Sequence, residues 1–299
     1  VQNYVQLAID GHQLPGNVIA STDREDLLAG ADCVVTAVSI GGAAYWGEPY
    51  RSEVEIPLKY GIHQTVADTI GVGGIFRFLR TADEHLSFAR DMERLCPDAL
   101  MLNYTNPMCM LTWLHSVGSS VQNVGLCHSV QGTTRKLAKC VDVDYEELNY
   151  LVAGINHQSW ILQLRRGNDD LYPTLRQVAE THEDLAEDRV RVEIMRQFGY
   201  FVTESTRHNA EYLPYFCRTA EQRKYYGVPD RGPVSMENTR QRAWMKDSGV
   251  EQDAESEIPP LRSSHEYASL IIEAKLTGKP FAFNGNVMNH GSITNLPSK

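Results

Sequence analysis

Three apolar runs constrain the fold of this chain more than any other feature: "DCVVTAV" (32–38), "DALMLNYT" (98–105) and "NVGLC" (123–127). None alternates apolar with polar residues, so each predicts a strand buried on both faces, which is the pattern of a parallel sheet covered by crossover helices. The intervening stretches have helical character: "REDLLAG", "TADEHLSFARDMERLC", "MCMLTWLHSV" and, after the third run, "VQGTTRKLAKCV". Thr81 with Glu84 three places on reads as a capping box opening the second of these helices, and "GNVIAS" reads as a further short strand near the start. The grammar is α/β. Ligands in such sheets collect beyond the carboxyl ends of the strands, and polar residues stand there in register: Ser39 in the turn "SIGG", Asn103 and Asn106 before Pro107, then Cys127 and His128.

Composition narrows the partners. Twenty-eight basic against 38 acidic residues give a formal charge of −10, with no basic cluster, so neither nucleic acid nor an anionic membrane surface is an expected partner. No run of about 18 apolar residues marks a membrane span, and the opening "VQNYVQLAID" lacks a basic-then-apolar signal pattern; the expected location is the cytoplasm. The six cysteines lack paired spacing and read as reduced thiols. Past about residue 145 the texture changes to strand-rich "NYLVAGINHQSWILQLRR" and amphipathic stretches, so a domain boundary is expected there, between an α/β domain over 1–145 and an α+β domain over 146–299. The charged stretch 218–258 reads as surface helices and loops.

Several stretches carry chemistry. Cys127, in a strand-to-helix turn with His128 and Gly132, suits a buried small side chain, a nucleophile activated by a histidine, or a metal ligand. His157 in "AGINHQSW" favours the last: a thiolate and an imidazole can hold a divalent ion with open positions. Gly71, Gly73 and Gly74 could turn backbone amides toward an anion, but the spacing is not that of a dinucleotide fingerprint and a tight turn fits as well. Asp68 and Thr69 ahead of them suit sugar hydroxyls or solvent. "ESTRHNAEY" crowds Glu204, His208, Glu211 and Tyr212 into nine positions, a set able to move protons or a surface turn. Asn284, Asn286 and Asn289 form an amide-rich loop.

Taken in order, "VADTIGVGG", "NYTNPM", "GLCHSVQGT", "GINH", "FVTES" and "NGNV" make the chain resemble glycoside hydrolase family 4, and within it the α-galactosidases marked by the Cys-His-Ser-Val run from Cys127 to Val130. The resemblance implies a lactate-dehydrogenase-like domain, bound NAD, and a divalent metal, usually manganese, on Cys127 and His157. It implies chemistry unlike that of glycosidases with two flanking carboxylates: oxidation at C3 of the sugar, proton removal from C2, elimination of the glycosidic oxygen, water addition, and return of the hydride. Under this reading Ser39, Ile40, Asn103 and Asn106 face the cofactor, and Tyr212, His208, Asn106 and His128 serve catalysis. Asp68, Asn106, His128, Asn156, Glu211 and Asn286 bind an α-glycoside. A homodimer or homotetramer is expected.

The family's opening strand and glycine-rich phosphate turn, expected upstream of Val1, and its carboxyl-terminal segment beyond "SITNLPSK" are not in the sequence, so weak NAD binding by these 299 residues is expected. An α-galacturonidase or α-glucuronidase is the nearest rival, with Arg77 or Arg207 available to meet a carboxylate at C6, and an α-glucosidase is next. From another class, a 2-hydroxyacid dehydrogenase shares the sheet but needs no Cys/His pair, and a non-catalytic sugar-binding fragment needs no chemistry.

Overall fold

A computed structural model describes residues 2–40, 48–228, 258–261 and 264–294. Three parallel strands, β1 (Cys33–Thr36), β2 (Leu100–Asn103) and β3 (Gln122–Gly125), lie side by side in that order. Their register aligns Thr36 with Asn103 and Asn103 with Gly125, so the three carboxyl ends form one edge. The apolar runs are unbroken because both faces are covered. Met101 packs on one side with Ala89, Met92, Cys96 and Val121, and its neighbour Leu102 on the other with Val124, Leu126, Tyr267 and Ile271. Each such side chain contributes about 1.5–3 kcal/mol on leaving water.

Helices α1 (Gln2–Gly11) and α2 (Glu25–Leu28) precede β1; α3 (Tyr50–Lys59) and α4 (Gly71–Leu95) lie between β1 and β2; α5 (Met108–Gly118) connects β2 to β3, and α6 (Ser129–Cys140) leaves β3. The α/β expectation holds, with two local corrections. Thr81 is no cap: it lies buried in the interior of α4, which starts ten residues earlier at Gly71. The start is set by close packing, since a Cβ on Gly74 would lie 2.5 Å from the Thr69 backbone. "GNVIAS" forms no strand; Ile19 is 73% exposed, and without a neighbouring strand or a core to enter, its apolar character finds no use in a sheet.

The chain then builds an antiparallel sheet. β4 (Leu148–Ile155) and β5 (Gln158–Arg166) form a hairpin, and the short strands β6 (Asp169–Asp170) and β7 (Phe201–Val202) pair with β5. Around it stand α7 (Tyr172–Val178), α8 (Glu183–Ala186), α9 (Arg189–Phe198), α10 (Thr206–Tyr212) and α11 (Ala220–Tyr225), while α12 (Ala268–Thr277) returns to cover the parallel sheet. Leu137 and Ala138 of α6 share a core with Ile161, Leu164, Leu175 and Phe201, so the last helix of the first sheet is also the floor of the second. The surface reading of 218–258 falls largely on 229–257, outside the described residues. Among the described residues no helix is long and apolar enough to cross a membrane.

Between α4 and α5 lies a polar pair in an apolar setting. His85 Nδ1 and His115 Nε2 are 3.3 Å apart, both rings are fully buried, and His85 Nε2 and His115 Nδ1 have no hydrogen-bond partner among the described residues. Burial pushes both imidazoles down to about 4, so both are neutral in the folded protein at neutral pH. Unfolded histidines take up protons as the pH falls through about 6.5, whereas the folded pair does so only near 4, so stability is lost across that interval. The free energy of urea unfolding should therefore fall by roughly 4–5 kcal/mol between pH 7 and pH 4.5, about half from each histidine, and His85→Leu should make the fall shallower.

Candidate metal centre and active site

Cys127 stands just beyond β3 and before α6, at the aligned edge of the parallel sheet. His157 stands at the tip of the β4–β5 hairpin, where its backbone adopts a left-handed φ of +63°. Gly154, at φ +139°, prepares that turn: a Cβ there would lie 2.5 Å from the carbonyl oxygen of Gln158. The hairpin delivers the His157 imidazole to the sheet edge, with Nε2 3.5 Å from Cys127 Sγ. Glu204, two residues past β7, places Oε2 3.5 Å from the same nitrogen. That oxygen is buried and accepts no hydrogen bond among the described residues. The sulfur, nitrogen and oxygen all lie within 4.8 Å of one another.

This donor set fits a divalent cation. One thiolate, one imidazole and one carboxylate suit a borderline transition metal, and the buried Glu204 oxygen accepts no hydrogen bond among the described residues, its cationic neighbour being His157 Nε2 at 3.5 Å. Behind His157, the buried Thr69 hydroxyl donates to Asp68 Oδ1 at 2.9 Å and accepts from His157 Nδ1 at 2.8 Å, which aims Nε2 at the sulfur and the carboxylate. Burial disfavours a charged His157, but the Cys127 sulfur and the carboxylates of Glu204 and Asp68 outweigh it and hold the imidazole up to about 9. The field that keeps a proton on this ring favours a metal cation in the same place.

Asp68 is the hub of the surrounding network. It accepts from Tyr212 Oη at 3.2 Å, from Thr69, and from Asn106 Nδ2 at 3.2 Å. Burial would raise its pKa, yet His157, His208 and Arg77 prevail and hold the carboxyl below its usual range. Helix α10 presents His208, Glu211 and Tyr212 at i, i+3 and i+4, one face of a helix. The His208 ring lies edge-on to His157 with centroids 4.7 Å apart, and its Nδ1 is 2.7 Å from Ser205 Oγ. Burial lowers its pKa and leaves the ring neutral. Burial and the charges of Asp68 and Glu211 push the Tyr212 phenol far up, so it keeps its proton. Glu211 turns inward and accepts from the backbone amides of Thr65, Val66 and Ala67; burial raises it to about 7 against the pull of those amides.

The remaining expected residues divide. Asn156, with an unpartnered buried Oδ1 among the described residues, lines with Cys127, His157 and Asn286 a cavity of about 250 Å³. Asn286 is fixed there by paired backbone hydrogen bonds to Gly125 at 3.0 and 2.8 Å. Asn103 is fully buried and its side chain ties the strand ends together, accepting from Thr36 Oγ1 and the Thr105 amide. Ser39 and Ile40 lie beyond β1, where the Ile40 carbonyl accepts from Arg80. His128 stands apart, its side chain 74% exposed and 3.4 Å from Glu266. Arg207 is turned to the Thr65 carbonyl. Sequence reasoning assigned no ligand role to Glu204 and no orienting role to Thr69; nothing in their local spacing reports that β7 and the 64–70 loop converge on the hairpin tip.

A parallel α/β sheet with a sulfur, an imidazole and a carboxylate gathered at its carboxyl edge is an arrangement of donors able to hold a divalent cation. Residues 1–143 match the profile of the family 4 glycosyl hydrolases and residues 152–299 that of the family 4 glycosyl hydrolase C-terminal domain, and the chain belongs to this family. An α-galactosidase of Bacillus subtilis is 41% identical over 282 residues, 93% of this chain and 64% of its own length. The chain thus spans less than two thirds of that relative. The crystal structure of LplD from Bacillus subtilis superposes with a TM-score of 0.81 at 25% identity, covering 98% of this chain and 72% of that one. A 6-phospho-β-glucosidase of Thermotoga maritima, solved with manganese, NAD+ and glucose-6-phosphate, shares the fold with a TM-score of 0.72 at 18% identity, over 99% of this chain and 67% of its own.

Glu204→Gln should weaken Mn2+ binding, read by an electron paramagnetic resonance titration, by at least about tenfold, and Thr69→Val should cost about 10–100-fold through the orientation of His157.

Proposed function

We propose that the protein containing this chain is an NAD- and Mn2+-dependent α-galactosidase that opens the glycosidic bond by oxidation at C3, elimination across C1 and C2, hydration and re-reduction. The observation that carries the reading is the Cys127–His157–Glu204 donor set, with the buried Glu204 oxygen that accepts no hydrogen bond among the described residues, beside the Asp68–Tyr212–His208 network. The 41% identity to an α-galactosidase supports the sugar, and the fold shared with an NAD- and manganese-containing glucosidase supports the cofactors. In this reading residues 1–145 serve the dinucleotide, 146–299 the substrate, and the protein self-associates as a dimer or tetramer.

Cys127, His157 and Glu204 would hold the cation, and the segments beyond β1 and β2 would face the nicotinamide. When bound, NAD would supply hydride-transfer chemistry and the cation Lewis acidity toward the sugar. His208, neutral and anchored at Nδ1 by Ser205, takes the C2 proton. Tyr212 keeps its proton and is the donor of the pair, its phenol steadied by Asp68. Asn106, bonded to Asp68 and to the Met108 amide, offers a fixed amide at the end of β2. Val152, Ala153 and Ile155 line one side of the adjoining cavity.

A panel of nitrophenyl α-glycosides tests the proposal on the intact protein with NAD, Mn2+ and reductant. The galactoside should be the substrate turned over, and cleavage should stop on EDTA treatment or NAD removal; cleavage that survives both would sink the scheme, and preferred turnover of the galacturonide would move the sugar assignment to uronic acids. His208→Asn should lower kcat/KM by about 10²–10⁴ and abolish wash-in of solvent deuterium at C2.

A further inference from the structure

We propose that Glu211 is a positioning residue, touching no sugar, that grips the backbone of Thr65–Ala67 and thereby sets Asp68 and Thr69 at the metal centre; the catalytic part of this proposal rests on the α-galactosidase reading above. Its Oε2 accepts from the amides of Thr65 and Val66 at 2.6 Å each and of Ala67 at 3.1 Å. Successive backbone N–H groups converging on one carboxylate make an anion nest, and here the anion belongs to the protein's own α10. The loop needs such a grip. Ala67 is fully buried and takes a φ of +56°, a left-handed conformation disfavoured for any residue with a Cβ by about tenfold.

Ala67 immediately precedes Asp68 and Thr69, whose side chains reach Tyr212, Asn106 and His157. A relaxation of Ala67 to negative φ would rotate the following carboxylate and hydroxyl off those partners. The same helix holds the loop twice more. Thr65 Oγ1 donates to the Arg207 carbonyl at 2.6 Å, and Tyr212 donates to Asp68 itself. Glu211 therefore fixes the main chain while its neighbour fixes the side chain. Its carboxylate is committed to this contact, which removes it from the set of groups that bind substrate.

Two readouts on the intact protein test the proposal. In metal-free and sugar-free protein, Glu211→Gln should speed amide hydrogen exchange across 64–70 by at least about tenfold while the strands β1–β3 keep their protection. With NAD, Mn2+ and nitrophenyl α-galactoside, the same variant should lower kcat by about a hundredfold with KM changed less than about threefold, as expected for misplacement rather than lost binding. Adding Ala67→Gly to Glu211→Gln should recover about tenfold of the lost kcat, because glycine takes the left-handed backbone without a clamp. Should Glu211→Gln not fold, Glu211→Asp, with a carboxylate one methylene short of the nest, is read the same way. Unchanged exchange in a folded variant, a rise in KM at constant kcat, or no recovery on adding Ala67→Gly would each overturn the proposal. A wild-type protein that cleaves no galactoside would refute the functional reading alone, since the exchange measurement decides the clamp without any substrate.

Discussion

The contact of the Cys127 sulfur with the His157 imidazole joins the two sheets at the carboxyl edge of the parallel strands. Cys127 is carried by the last parallel strand and His157 by the antiparallel hairpin, so neither sheet alone holds the pair. The join is held from below by α6, whose Leu137 and Ala138 enter the core of the second sheet while its first turn follows directly on Cys127. It also requires a left-handed backbone at His157, a conformation that costs about 1–2 kcal/mol in an ordinary residue. Such strain persists where the surroundings over-determine it. Here the determinants are the hairpin register, Thr69 at Nδ1, and the sulfur and carboxylate at Nε2.

Charge makes that arrangement demanding. Asp68, Glu204 and Cys127 surround one imidazole in a buried volume, and burying an unpaired carboxylate is far more costly than burying a neutral group. The molecule meets part of this cost with directed donors: Thr69, Tyr212 and Asn106 all point at Asp68. Glu204 Oε2 receives no such donor among the described residues. The asymmetry separates two kinds of acid within a few ångströms, one satisfied by protein hydrogen bonds and one whose buried Oε2 faces the His157 imidazole at 3.5 Å.

How much of this was legible in the sequence follows from the range over which each feature is determined. The three parallel strands could be read because double-sided burial writes itself into consecutive residues, as Met101 and Leu102 show by pointing into different cores. Cys127 and His157 could be nominated because strand ends are predictable places. The start of α4 was misread at Thr81 because its true determinant is the packing of Gly74 against the Thr69 backbone, which no capping pattern encodes. Asn103 sits at a strand end like Asn106, yet its amide is consumed by Thr36 and Thr105, and only the β1–β2 register reveals that. Glu204 and Thr69 were legible as polar residues but not as partners of His157, since loops distant in sequence must converge before either role exists.

The face of α10 shows how one short helix can separate proton affinities. His208 and Tyr212 lie one turn apart with ring centroids 5.9 Å from each other, and burial acts on both, but in opposite senses because burial opposes whichever form is charged. The imidazole loses its proton more readily and the phenol holds its proton more firmly. Asp68, anionic and bonded to the phenol, strengthens the second effect, and the cationic tendency of His157 reinforces the first. A neutral imidazole and a protonated phenol thus arise side by side from one desolvated surface, without any residue of unusual intrinsic chemistry.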